Sequence, residues 1–207
     1  MKKRLLQNSS SPTTQYENKA KQQGFSCIAG IDEVGRGPIA GPVVAACLVL
    51  KTNSFINKIA DSKKLTPIAR EIAYREISAK AFIGIGLVSE NFIERINIHN
   101  ATILAMKRAL FNLRVQPDFL LIDGIINLGL PIKQLSIIGG DRKCLSIAAA
   151  SIIAKVTRDR LMVFYDKLYP EYGFARHKGY GTSRHFEAVR ELGILPLHRR
   201  WGQLTNL

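Results

Sequence analysis

The stretch Ile28 to Leu50, IAGIDEVGRGPIAGPVVAACLVL, constrains this chain more than any other. It opens as a short apolar strand, Ile28 to Ile31, and then sets two carboxylates side by side, Asp32 and Glu33. A glycine turn with one arginine follows, Gly35-Arg36-Gly37, and Val43 to Leu50 reads as a second buried strand. Carboxylates at the end of an apolar strand lose hydration unless a partner compensates, and a metal ion is the usual partner. Neighbours on a regular strand point to opposite faces, so Asp32 and Glu33 are expected to share a site only where the strand breaks, at the glycines. The segment Gly35 to Ala40 fits the dinucleotide pattern G-x-G-x-x-[GA], but that pattern must open a helix. Here Pro38, Gly41 and Pro42 lead into a β-branched run instead. Solvated turn residues are the plain alternative for the acidic pair, and that alternative weakens if other carboxylates also stand at strand ends.

They do. Phe119 to Ile122 is a buried strand ending at Asp123-Gly124, and the segment Leu130 to Ile138 holds a further strand that leads to Gly139-Gly140-Asp141. Asp32, Glu33, Asp123 and Asp141 thus form the candidate cluster. Four carboxylates without matching His or Cys suit hard cations, Mg²⁺ or Mn²⁺, rather than zinc. Two such ions can bracket a phosphodiester. The net charge, 30 − 16 = +14, points to a polyanionic partner, most often nucleic acid. A basic chain with an acidic metal cluster suggests a nuclease or another phosphoryl-transfer enzyme. A module that binds hybrids without cutting is the rival, and the intact carboxylate set argues against it, because unneutralised negative charge repels phosphate.

At 207 residues and 46% hydrophobic content, the chain suits one domain with a small appendage. Residues 1–24 are polar and read as a mobile tail. Residues 25–168 alternate strands and helices, which argues an α/β domain. The close succession of the strands ending near Val34 and starting at Val43 makes one pair antiparallel, so the sheet is mixed. Thr66-Pro67 caps a helix running to about Lys80, Phe82 to Val88 is a strand, and Asn97 to Arg114 is a helix. Ser146 is expected to cap a long helix from Ile147 to about Leu168, whose small residues let it lie close on the sheet. Residues 169–207 read as a helical appendage with a basic, aromatic face, carrying His177, Lys178, Arg184, His185, Arg190, His198, Arg199 and Arg200 with Tyr172, Phe174, Tyr180, Phe186 and Trp201. Its histidines read as surface or packing residues rather than metal ligands. Cys27, Cys47 and Cys144 are odd in number and lack C-x-x-C spacing, so they read as reduced thiols of a cytoplasmic protein. No run reaches membrane-spanning length, and the N-terminus lacks the apolar core of a signal peptide.

Several motifs together resemble type 2 ribonucleases H, the bacterial ribonuclease HII family. They are Asp32 to Gly37, Ala40 to Val44, Asp61-Ser62-Lys63-Lys64-Leu65, Ile122-Asp123-Gly124, Ser146 to Val156 and His177 to Thr182, in the family's order from about residue 25 to residue 200. The resemblance implies a ribonuclease H-like fold with a C-terminal helical subdomain. It implies cleavage of the RNA strand in RNA–DNA hybrids and incision 5′ of ribonucleotides in duplex DNA, leaving 3′-hydroxyl and 5′-phosphate ends. Removal of ribonucleotides from DNA and of RNA primers would follow, by a monomer. The resemblance also assigns roles. Asp32, Glu33, Asp123 and Asp141 match the catalytic metal ligands of a two-ion Mn²⁺ or Mg²⁺ site. Gly35, Arg36 and Gly37 match the loop that reads the 2′-hydroxyl, Tyr180 the tyrosine that stacks at the RNA–DNA junction, and Ser62, Lys63 and Lys64 the backbone contacts. For Arg36, phosphate contact and pairing with a neighbouring carboxylate are equally open. Asp159 competes for the fourth carboxylate, but inside a helix a salt bridge suits it better. Gly139 stands where a lysine is common, Cys144 where a serine is common, and His99-Asn100 departs from the usual pair. The related ribonuclease HIII normally carries a large N-terminal substrate-binding domain, for which the 24-residue tail leaves no room.

Overall fold

The computed structural model describes residues 11–200; Trp201 and the first ten residues of the expected tail lie outside the described residues. In chain order the elements are α1 (Gln15–Gln22), β1 (Ile28–Val34), β2 (Val43–Leu50), α2 (Pro67–Lys80), β3 (Ala81–Val88), α3 (Glu90–Phe111), β4 (Phe119–Asp123), β5 (Lys133–Ile137), α4 (Leu145–Leu168), α5 (Phe174–His177) and α6 (Ser183–Leu192). The five strands form one sheet in the order β3-β2-β1-β4-β5. β2 pairs antiparallel with both β1 and β3, whereas β1–β4 and β4–β5 are parallel, so the sheet is mixed as the sequence predicts.

The strand period of two sorts β2 between two cores. Val43, Ala45 and Cys47 face α3 with Ala105, Met106 and Ala109, while Ala46 and Leu48 face α2 and α4 with Ala73, Ile77, Ala149 and Ile153. The start of α4 is close-packed on β1: a Cβ at Gly30 would run into Ser146. This bears out the reading of its small residues. Thr66 caps α2 by accepting from the Ala69 amide at 3.2 Å, with Pro67 at the first helical position. α3 begins before the expected Asn97, at Glu90, but breaks there. Asn97 sits at φ 62°, and its side chain accepts from the Asn100 amide at 3.1 Å, capping the second half.

Two expectations fail together. Residues 15–22 are helical rather than part of a mobile tail, and Ser146 does not cap α4. Instead the buried Glu17 carboxylate accepts from the Ser146 amide at 2.8 Å and from Cys144 Sγ at 3.1 Å. A carboxylate at a helix N-terminus satisfies an otherwise orphaned N–H and opposes the positive end of the helix dipole. Ala20, on the same turn of α1, packs on Phe119, Leu121 and Ile147. Among the described residues no helix is long and apolar enough to cross a membrane.

The C-terminal appendage shares its core with the rest of the molecule. Tyr172, Phe174, Ala188 and Val189 pack on Met162 of α4 and on Ile39 and Ala40 of the β1–β2 loop. The expected basic, aromatic face is therefore divided: Tyr172, Phe174, His177, His185, His198 and Arg199 are buried, whereas Tyr180, Arg184, Arg190 and Arg200 are exposed. The histidines are packing residues, joined in a stacked and hydrogen-bonded cluster.

Candidate active site

Adjacent parallel strands end together. The β1–β4 register runs to Ile31 opposite Ile122, so Asp32 and Asp123 follow side by side at the C-terminal ends of the two strands. In open α/β sheets, that edge is where ligands bind. Asp123 Oδ1 accepts from the Gly140 amide at 2.6 Å, which holds the short 3₁₀ turn Gly140–Arg142 against the strand end and brings Asp141 to the same place. Asp32, Glu33, Asp123 and Asp141 line one cavity of about 220 Å³, with Ser62, Lys63, Ser151, Lys155 and Tyr180. All four carboxylates singled out from the sequence are thus brought together. The strand does not break to achieve this: β1 remains paired with β2 through Val34. Beyond Ile31 its other edge is free of β4, and Asp32 Oδ1 folds back to accept from the Glu33 amide at 2.7 Å.

Burial raises Asp32 well above the ordinary carboxylate range, and the charges of Glu33 and Asp123 raise it further. Glu33 is raised by burial, with Arg36 opposing and Asp123 reinforcing. Asp141 is raised by burial and by Asp61 and Asp123, against Lys63 and Arg142. Carboxylates crowded in a cleft with raised proton affinity mark a place where another cation would be welcome. An all-oxygen, strongly anionic donor set fits a hard divalent ion. Among the described residues no three such side chains already converge on one point, so the carboxylates line a hollow rather than a closed cage.

The rim is cationic. Lys63 and Lys155 line the cavity, and Lys155 pairs with Asp159 at 2.7 Å. Asp159 is therefore a salt-bridge partner and not a member of the carboxylate set. Ser62 is buried, with its hydroxyl 3.0 Å from that of Ser151. Asp61 accepts from the Lys63 amide at 2.9 Å and fixes the short turn. Lys64 faces away, into a separate small hollow with Lys58, Asp61 and Arg142. Arg36 lies 3.5 Å from Glu33, a pairing that leaves its side chain 47% exposed. Gly37 adjoins the Tyr180 ring, and Tyr180 is 43% exposed, as its flanking glycines suggest. A larger hollow, about 420 Å³ between α2 and α4, holds no comparable set, since its acids are paired, Glu71 with Arg160 and Asp159 with Lys155.

Sequence reasoning passed over Ser151, Lys155 and Arg158 as individual residues. Their spacing was the available signal, because positions i, i+4 and i+7 share one helix face. It also misread Arg199 as part of an exposed basic face.

A family model described as Ribonuclease HII matches residues 29–203. The chain is 56% identical over 185 residues to a ribonuclease HII of Acetivibrio thermocellus, covering 89% of this chain and 72% of that one. Its fold is similar to the crystal structure of ribonuclease H2 from Pyrococcus horikoshii, with TM-score 0.75, 26% identity and coverage of 87% and 96% of the two chains. It is also similar to the ribonuclease HII of Archaeoglobus fulgidus solved in complex with PCNA, with TM-score 0.71, 26% identity and coverage of 88% and 100%. With four carboxylates gathered at neighbouring strand ends of this fold, and a match that runs through all of them, the chain belongs to the ribonuclease HII family.

Proposed function

We propose that this chain is an endonuclease that cuts the RNA strand of RNA–DNA hybrids and incises duplex DNA 5′ of an embedded ribonucleotide, leaving 3′-hydroxyl and 5′-phosphate ends. The observation that carries the reading is the shared cavity of Asp32, Glu33, Asp123 and Asp141 beside the Gly35–Gly37 turn and Tyr180. The four carboxylates would hold Mg²⁺ or Mn²⁺, which when bound supplies Lewis acidity and a more acidic water. Lys63 and Lys155 balance phosphate charge at the rim. Ser62, by its backbone, and Lys64, on the outer side of the same turn, extend the contact along the strand.

Arg36 and Gly37 are exposed residues, and among the described residues nothing accepts from their amides. They offer two adjacent donors to a 2′-hydroxyl, the group that separates RNA from DNA. Tyr180 then stacks on the neighbouring sugar. Residues 25–168 would carry the chemistry, and the segment from 169 would bring Tyr180 to it.

Asp32→Asn and Asp141→Asn test the reading on end-labelled duplexes with no, one or all ribonucleotides in one strand. Residues that hold metal act as a unit, so each variant should lose most of its cleavage rate in both Mg²⁺ and Mn²⁺ while hybrid affinity stays within a few-fold. Wild-type rates from both variants would remove the carboxylates from catalysis.

A further inference from the structure

The β1–β2 loop, residues 35–42, contains Pro38 and Pro42, and its carbonyls turn into the protein interior. A buried carbonyl without a donor is costly, and prolines supply none. Two guanidinium groups meet the need. Arg199 donates from Nη2 to Gly35 O and Gly41 O, each at 2.6 Å, from Nη1 to Pro38 O at 2.9 Å and Arg36 O at 3.1 Å, and from Nε to Gly41 O at 2.9 Å. Arg158 donates from Nε to Pro42 O at 2.9 Å, from Nη2 to Ala40 O at 3.0 Å, and from Nη1 to Lys178 O at 2.9 Å. Both side chains are 0% exposed, and among the described residues neither makes a salt bridge.

This arrangement fixes which way the amides face. Within one peptide unit the C=O and the following N–H point in opposite directions. Drawing the Gly35 and Arg36 carbonyls inward therefore turns the Arg36 and Gly37 N–H groups outward. The later amides of the loop are claimed: Ile39 and Ala40 donate to Gly179 O, and Gly41 to Leu197 O. Gly35 itself has φ +94°, and a Cβ there would meet the Arg158 side chain and the Pro42 carbonyl. Only a glycine lets the guanidinium in so close. Through Lys178 O, Arg158 also ties the segment that carries Tyr180 to the same loop.

We propose that Arg199 and Arg158 are positioning residues for ribonucleotide specificity: they hold the loop carbonyls so that the Arg36 and Gly37 amides meet the 2′-hydroxyl, and Arg158 locks Tyr180 to the same frame. The inference rests on the reading of the loop given above. Lysine cannot substitute, because its three donors radiate from one point whereas guanidinium spreads five in a fixed plane.

The experiment compares wild type, Arg199→Ala and Arg199→Lys. It measures the affinity ratio for a duplex with one ribonucleotide over the all-DNA duplex in metal-free buffer, the single-turnover cleavage rate in Mg²⁺, and the melting temperature. Wild type should favour the ribonucleotide by roughly 5–150-fold, the range expected for one buried hydrogen-bonding group left unpaired. Both variants should bring the ratio toward one and lower the rate by roughly 10–100-fold, in keeping with small misplacement of a bound group. Millimolar guanidinium should restore part of the rate in Arg199→Ala. A merely structural role would reduce the active fraction and leave the ratio unmoved. A lower melting temperature with an unchanged ratio in Arg199→Lys, which keeps the charge and most of the stem, overturns the inference even if Arg199→Ala does not fold. Failure of the wild type to cut either ribonucleotide-containing duplex would instead sink the underlying function. A wild-type ratio of one with normal cleavage would remove the amide contact and this inference with it.

Discussion

The histidine cluster under Tyr180 predicts an acid-sensitive loss of stability whose size follows from how far burial lowers its rings. The Leu195 amide donates to His198 Nδ1 at 2.9 Å, so His198 carries its proton on Nε2 and faces His185 Nε2 at 3.1 Å. His185 Nδ1 then donates to Tyr180 O at 2.9 Å. These tautomers are assigned from the network. His177 stacks on His185 at 4.1 Å, takes the Gly179 amide on Nδ1 and donates from Nε2 to Tyr172 O. A second proton on His185 or His198 would set two N–H groups against each other. Burial lowers both His185 and His198 from 6.5 to about 4, with His177 nearby adding to the effect. A base with a depressed folded value stabilises the fold above its unfolded value and loses that contribution as pH falls from 6.5 toward 4. At pH 5 the loss for one ring is RT ln[(1 + 10^1.5)/(1 + 10^−1)], about 2 kcal/mol, and the coupled pair loses less than twice that. For a chain of this size, that corresponds to about 4–8 °C in melting temperature per ring. The crowded carboxylates of the active site act in the opposite sense, since raised values favour the folded state as pH falls. The comparison is therefore made against His198→Gln, which keeps an amide for both neighbours and cannot be protonated. Melting followed by circular dichroism at pH 7, 6 and 5 should show wild type falling further than the variant, which keeps His185, by an amount that approaches but stays below the single-ring figure of about 4–8 °C. Parallel curves would refute the neutral chain.

Two other outcomes are expected. Glu17→Ala should lower the melting temperature by about 2–10 °C, because the Ser146 amide at the start of α4 loses its acceptor, a cost of about 1–3 kcal/mol partly offset by removing the buried, unpartnered Glu17 Oε2. An unchanged melting temperature would show that α1 does not cap α4. Lys63→Ala should reduce the slope of log affinity against log salt by about one unit and slow cleavage, whereas Lys64→Ala should reduce the slope with little effect on the rate, since only Lys63 lines the carboxylate cavity. Equal rates for the two variants would place Lys63 outside the site.

The elements were legible wherever local chemistry decides them. Thr66-Pro67 opens α2 as its cap chemistry dictates, and Asn97 caps the second half of α3 although the helix starts earlier. The misses share one cause, which is that a distant partner replaced a local signal. Ser146 is a good cap by type, but Glu17 arrives from a different helix and takes its amide. Residues 15–22 are polar in composition, and nothing local announces that Glu17 and Ala20 turn inward. For the same reason the carboxylates were readable as strand-end residues, while the route by which Asp141 joins them, through the Asp123–Gly140 hydrogen bond, was not.

Arg199 and Arg200 show where such reading stops. They are adjacent, identical in type and equally basic, yet Arg199 is wholly buried and Arg200 is exposed, with its amide donating to Glu94. Composition counts both toward a nucleic-acid face. What separates them is the demand for donors created some 160 residues earlier, where a loop rich in glycine and proline leaves its carbonyls without ladder partners. Apolar side chains cannot supply those donors, and a carboxylate has none to give. A guanidinium can supply five at once, and the carbonyls that receive them help keep the charge tolerable where burial and the neighbouring Arg158 push Arg199 below its ordinary value. The net charge of +14 therefore overstates the cations available to a phosphate backbone by at least Arg158 and Arg199. A salt-dependence experiment should draw its slope from the exposed lysines and arginines alone.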